Sequence, residues 1–287
     1  MKKNEILLKL TSGFSIIITV ALIIIKAIAW LITGSLAILS SLVDSGLDLM
    51  TALVNFFAIK YSLKPDDDDH KFGHGAIEDI ACLLQSGFIS GSAVFILFQS
   101  VRNLMLKEKL RCDKIGIIIM MISLGLKISL IFVQKYTVKK TNSSIIKAES
   151  LNYLADVVMN LSVTASLIII EITGFYYIDS VMAIVIALLI LRSAYNIGRK
   201  AFDNIMCKEL SPNIREEIMN IIHSSEGIRG YHDLKTRMSG NKSFVQVHLE
   251  IDKKLALESS HEITKKIDKK IAKLLGECEV IIHQDPV

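Results

Sequence analysis

Apolar residues in this chain run in long blocks separated by short polar stretches. Ile16–Ile25, Ile117–Leu126 and Val157–Ile170 contain no charged residue. A helix needs roughly 20 mostly apolar residues to cross about 30 Å of hydrocarbon. Six segments meet that length, near 8–32, 36–61, 79–101, 114–134, 145–170 and 175–197. They predict an α-helical membrane protein with six transmembrane helices, occupying residues 1–208. The apolar run after Lys9 is too long for a signal core and more spans follow it, so no cleavable signal is expected.

The pattern changes after Glu209, where apolar blocks shorten and charge rises. Asn213–His223 has the period of an amphipathic helix, and His232–Met238 and Phe244–Ile251 alternate like strands. In Glu258–Leu275, Ile263, Ile267, Ile271 and Leu274 share one helical face, and Glu279–His283 reads as a last strand. Residues 209–287 therefore predict a C-terminal α+β domain in the order helix–strand–strand–helix–strand. A domain this small gains from dimerisation or bound metal.

Composition agrees with a membrane protein: 51% of the 287 residues are hydrophobic and the mean hydropathy is +0.46. The net charge is +4, with no basic stripe interleaved with aromatics, so nucleic acid is not an expected partner. Cys82, Cys112, Cys207 and Cys278 are scattered and form no CxxC pair, which argues against a thiolate zinc site or a disulfide framework. Lysine marks the N-terminus (Lys2, Lys3, Lys9), the loop between spans 2 and 3 (Lys60, Lys64, Lys71) and the loop between spans 4 and 5 (Lys135, Lys139, Lys140, Lys147). Arg192, Arg199 and Lys200 close span 6, whereas the 1/2 and 5/6 connections carry no Lys or Arg. The 3/4 loop (Arg102, Lys107, Lys109, Arg111, Lys114) runs against this trend. The balance predicts both termini on the cytoplasmic side of a cell membrane.

The spans carry acidic side chains in a pattern. Asp44 and Asp48 stand four apart in span 2, and Asn152 and Asp156 four apart in span 5, so each pair shares a helix face. A charged Asp in a bilayer costs at least ~2.5–3.5 kcal/mol, so it faces a partner or a polar cavity. Interhelical hydrogen bonding alone explains one such residue. Two i,i+4 oxygen pairs on separate spans point instead to an oxygen-rich cage. Like charges one turn apart repel, and a divalent cation or shared protons relieve that repulsion. Such a site is able to exchange M²⁺ for H⁺. Lys26 in span 1 reads as snorkelling or paired.

Two further groups carry metal-ligand chemistry. The 2/3 loop runs Asp66-Asp67-Asp68-Asp69-His70-Lys71-Phe72-Gly73-His74, and carboxylate with imidazole suits Zn²⁺ and Fe²⁺. The tail holds His232, His248, His261 and His283, with Asp285 on the same face of an extended segment as His283. Scattered surface histidines are the plain alternative; four with an aspartate in about 55 residues form a more specific constellation. His223 reads as structural.

Ile25–Trp30, Gly34–Ser45, His70-Lys71-Phe72-Gly73-His74-Gly75 and Ile281-Ile282-His283-Gln284-Asp285-Pro286 together resemble the cation diffusion facilitators, in particular their bacterial ferrous-iron/zinc efflux branch. The resemblance covers nearly the whole chain. It implies a homodimer with six spans per protomer, a ferredoxin-like cytoplasmic metal-binding dimerisation domain, and proton-coupled export of Zn²⁺, Fe²⁺ or Mn²⁺ by alternating access. It implies a transport site at Asp44, Asp48, Asn152 and Asp156, and a loop site at Asp67, His70 and His74. A two-metal tail cluster at His232, His248, His261, His283 and Asp285 is implied as well. The sequence departs from that branch at three positions. Asn152 stands where its members have His, and an all-oxygen site favours harder cations such as Mn²⁺. Ala76 and Cys207 stand where the branch has an interprotomer Lys and its acidic partner. An intramembrane metalloenzyme lacks support, since no HExxH pair or nucleophile beside a base is present. A metal-responsive dimer that does not transport is the other competing reading.

Overall fold

The computed structural model describes residues 2–33, 36–106, 114–173 and 178–287. Gly34 and Ser35 of the family-like motif, Cys112 and the basic residues Lys107, Lys109 and Arg111 lie outside the described residues.

Six long helices come first: α1 (Lys2–Thr33), α2 (Leu36–Ser62), α3 (Ala76–Leu106), α4 (Lys114–Thr141), α5 (Ser144–Thr173) and α6 (Ile178–Ile205). Several overrun the predicted spans. The apolar count measures only the stretch that suits hydrocarbon, whereas the i→i−4 ladder continues into polar sequence until a breaker or turn stops it. Among the described residues, α1, α2, α3, α4 and α6 contain stretches long and apolar enough to cross a membrane. The 30-residue α5 packs among them, against α2, α3 and α4.

The cores of the bundle are apolar and continuous across helices. Leu8, Ile59, Ala81, Cys82, Ile145, Ile146 and Ala201 form one cluster; Ile18, Leu22, Leu130, Ile131, Tyr153 and Val157 form another. Ile89 and Ala93 of α3 meet Ile186, Ile190 and Ala194 of α6. Small residues permit that approach. A Cβ on Gly198 would lie 2.5 Å from Ser86 Oγ, so a larger residue there would force the serine side chain to move.

The chain divides into two compact units, Met1–Ala201 and Phe202–Val287. The second contains α7 (Pro212–His223), β1 (Ile228–Ser239), β2 (Lys242–Ile251), α8 (Leu257–Leu275) and β3 (Cys278–Pro286), in the predicted order. β1 pairs antiparallel with β2, and β3 adds parallel on the other side of β2 after the α8 crossover. Alternation along β2 turns Val245, Val247, Leu249 and Ile251 to one face. There they pack with Ile218 and Ile222 of α7 and with Ile267 and Ile271 of α8. Gln246, His248 and Glu250 occupy the opposite face of β2, away from that core.

Candidate metal sites

Helix α2 brings Asp48 into the bundle, where it is 8% exposed. Two turns of α5 bring Asn152 and Asp156 to the same place. Asn152 Nδ2 donates to Asp48 Oδ1 at 3.0 Å. Between the two carboxylates stands Lys127 of α4: its Nζ donates to Asp48 Oδ2 at 2.9 Å and also to Asp156 Oδ2. Asp44 lies one turn before Asp48, exposed on the surface of this chain, within electrostatic reach of Asp48, Lys26 and Lys127. Lys26 is paired, with Nζ donating to the Ser41 carbonyl at 3.0 Å and to Ser45 Oγ at 2.7 Å.

The sequence reading missed Lys127, although a signal was there. It is the one charged residue between Lys114 and Lys135, in a stretch otherwise fit for hydrocarbon. The cost of burying charge applies to ammonium as to carboxylate and demands an anionic partner. Glu149 was missed too. It is 1% exposed, stands on the α5 face that carries Asn152 and Asp156, and lies beside Ser15, Asn55 and Tyr153.

The loop between α2 and α3 folds Asp67, His70 and His74 together, with one ligand atom from each within 4.8 Å of the others. Asp67 Oδ1 accepts the His70 backbone N–H at 2.9 Å, which closes the loop over the carboxylate. His74 Nε2 is 3.3 Å from Asp67 Oδ2 and His70 Nδ1 is 3.2 Å from Asp67 Oδ1. Gly73 makes the turn between the two imidazoles at φ +82°, a region that penalises a side chain. The Lys64 ammonium donates to Asp67 Oδ2 at 2.5 Å and, as the leading cause, holds that carboxyl well below the usual carboxylate range. His74 stacks edge-on against Tyr61 at 4.7 Å.

In the tail, strand register builds the site. His232 on β1 pairs with His248 on β2, and His248 pairs with His283 on β3. Three imidazoles thus stand in one row across the sheet, with ring centroids 5.0 and 4.7 Å apart. Asp285, two residues after His283 on the same face, reaches all three. Its carboxylate is 3.3 Å from His232 Nε2, 3.0 Å from His248 Nδ1 and 3.2 Å from His283 Nε2. Glu250, which no sequence argument singled out, places Oε1 3.2 Å from His232 Nδ1. Gly230 leaves room for it, since a Cβ there would lie 2.5 Å from Glu250 Oε2. His261 is exposed on α8, and neither it nor His283, which meets Asp285 through Oδ1 instead of Oδ2, belongs to the converging group of His232, His248 and Asp285. His223 packs edge-on against Tyr231 at 5.2 Å. Imidazoles with a carboxylate at these separations fit a borderline dication such as Zn²⁺.

A bundle of helices long and apolar enough to cross a membrane, with acidic side chains inside it, followed by a small α+β domain with a metal-ligand face, defines a class of membrane metal carriers. Residues 13–206 match the cation efflux transmembrane domain, and residues 210–287 match the cation efflux protein cytoplasmic domain. The chain belongs to the cation efflux, or cation diffusion facilitator, family. Protein p34 of Rickettsia prowazekii is 38% identical over 280 residues, spanning 98% of this chain and 93% of that protein. The cation-efflux pump FieF of Klebsiella pneumoniae is 38% identical over 266 residues, spanning 93% of this chain and 88% of the pump. Among solved structures, the metal-bound C-terminal domain of the CzcD transporter from Thermotoga maritima is 28% identical. It covers 26% of this chain and 87% of that one, with a TM-score of 0.25.

Proposed function

We propose that this protein exports a divalent metal of the Zn²⁺, Fe²⁺ or Mn²⁺ type from the cytoplasm of a bacterial cell in exchange for protons. The observation that carries this reading is the meeting of Asp48, Asn152 and Asp156, from α2 and α5, in one polar cluster in which Asp48 is buried and the other two are half-buried. With Asp44 one turn away, they form the transport site. The metal is the cargo: it enters from the cytoplasm and displaces protons from the carboxylates. The bundle then rocks, and protons from the far side release the ion. Residues 1–208 act as the transport domain, with both termini cytoplasmic. Residues 209–287 bind metal and join two copies into a homodimer. In the tail, His232, His248, His283 and Asp285 hold a resident metal, which ties the three strands together. His261 completes that site on dimerisation, and metal there favours the transport-competent dimer. Asp67, His70 and His74 offer a further metal station at the mouth of the bundle.

The second reading, a metal-responsive dimer that moves nothing, draws support from the Lys127 ammonium lodged between the carboxylates. Flux separates the two. Purified protein in proteoliposomes with an imposed pH gradient transports metal and Asp48→Ala does not, on the antiport reading. Flux indifferent to the gradient contradicts proton exchange, and no flux in the wild type favours the sensor.

A further inference from the structure

Lys127 reaches from α4 into the gap between α2 and α5, where it is 6% exposed. The carboxylate oxygens that it holds, Asp48 Oδ2 and Asp156 Oδ2, belong to the two helices from which a dication would be gripped. A carboxylate–metal bond of about 2.0–2.2 Å places an ion in the volume that the ammonium fills. Two cations in that volume repel strongly, because the surroundings screen them poorly. Metal and ammonium therefore exclude one another.

The charge balance points the same way. Asp44, Asp48 and Asp156 carry three formal negative charges, and Lys26 and Lys127 two positive ones. With Lys127 aside, three carboxylates and Lys26 leave a formal charge of −2, which one dication neutralises. The two lysines differ in how they are fixed. Lys26 is tied to a backbone carbonyl and a serine hydroxyl, whereas the Lys127 ammonium is hydrogen-bonded to the Asp48 and Asp156 carboxylates. The Tyr153 ring centroid is 5.8 Å from Lys127 Nζ, a face that can take a displaced ammonium on its flexible four-carbon stem.

We propose that Lys127 is a tethered cation that competes with the transported dication. It fills the Asp48–Asp156 gap when no metal is bound, swings aside as metal enters, and returns as metal leaves. It is a specificity-determining residue of the transport site, setting a ceiling on affinity and rejecting cations too weakly charged to displace it. This inference rests on the reading of Asp48 and Asp156 as that site.

The test is Mn²⁺ binding to the full-length protein by equilibrium dialysis, with His70→Ala, His74→Ala and His248→Ala included to remove the other sites. Lys127→Gln is expected to bind Mn²⁺ about tenfold or more tightly than the same background with Lys127. Lys127→Arg, which keeps the charge, is expected to stay within about threefold. Unchanged or weaker binding by Lys127→Gln overturns the inference. If the amide variant does not fold, Lys127→Met removes the charge at similar volume and is scored identically. Asp48→Asn in the same background separates the two levels. If it abolishes binding while Lys127→Gln fails to tighten it, the competitor role alone falls. If Asp48→Asn leaves binding intact, the transport-site reading falls as well.

Discussion

Asn152 Nδ2 donates to Asp48 Oδ1, so the residue orients a carboxylate as well as offering a carbonyl oxygen. Histidine at that position would supply an imidazole nitrogen, which suits Zn²⁺ better than Mn²⁺. Asn152→His is expected to shift transport toward Zn²⁺ by about tenfold, read as Zn²⁺ inhibition of Mn²⁺ uptake into proteoliposomes. No shift would make position 152 irrelevant to selectivity. Of this cluster, Asp48, Asn152 and Asp156 were legible in the sequence because i,i+4 spacing and the cost of buried charge are local arguments. Their partnership with Lys127 was not. It depends on how α4 packs against α2 and α5, which no spacing within one helix encodes. Asp44 was legible as a residue of the same α2 face, yet lies at the exposed edge of this chain.

Register does for the tail what helical spacing does for the bundle. Period-2 alternation places His283 and Asp285 together from sequence alone. The row His232–His248–His283 needs the pairing of three strands, one of them parallel and reached through α8, and that pairing is non-local. Removing the central imidazole should break the site: His248→Ala is expected to abolish the metal-induced thermal stabilisation of the tail. At a metal concentration 100 times Kd, that stabilisation is about 2.7 kcal/mol. Equal stabilisation in the variant would place the metal elsewhere. Beneath the row, Leu249 is fully buried, and Leu249→Ala should cost about 2–5 kcal/mol in denaturant unfolding. Asp252 follows the last residue of the same strand. The Lys254 backbone N–H, and after it Arg229, hold its carboxyl below the usual range. A depressed folded value stabilises the fold above about pH 4, and the benefit fades as pH falls through the folded value. Asp252→Asn should therefore flatten the acid limb of tail stability below that pH; an unchanged limb would remove Asp252 from it.

At the scale of the molecule, long uncharged blocks predicted the helical bundle, and the chain divides into its compact units after Ala201, ahead of the rise in charge after Glu209. Helix ends were less legible, because backbone hydrogen bonding outlasts the apolar stretch. The same economy of charge explains why the exceptions matter. The ionic side chains of the cluster formed by Lys26, Asp48, Lys127 and Asp156 work against membrane insertion and need counter-charges nearby. Such a cluster holds together only while its net charge stays small, and three carboxylates with two ammoniums satisfy that without metal. Loading then becomes an exchange of cations around fixed oxygens. The position of the ion tests this most directly, by anomalous diffraction from crystals of the full-length protein grown with Mn²⁺. The account predicts a peak between Asp48 and Asp156 at coordination distance from both carboxylates, with the Lys127 side chain turned out of the gap. A peak confined to the loop and tail sites, with Lys127 still bridging the two carboxylates at saturating metal, would contradict it.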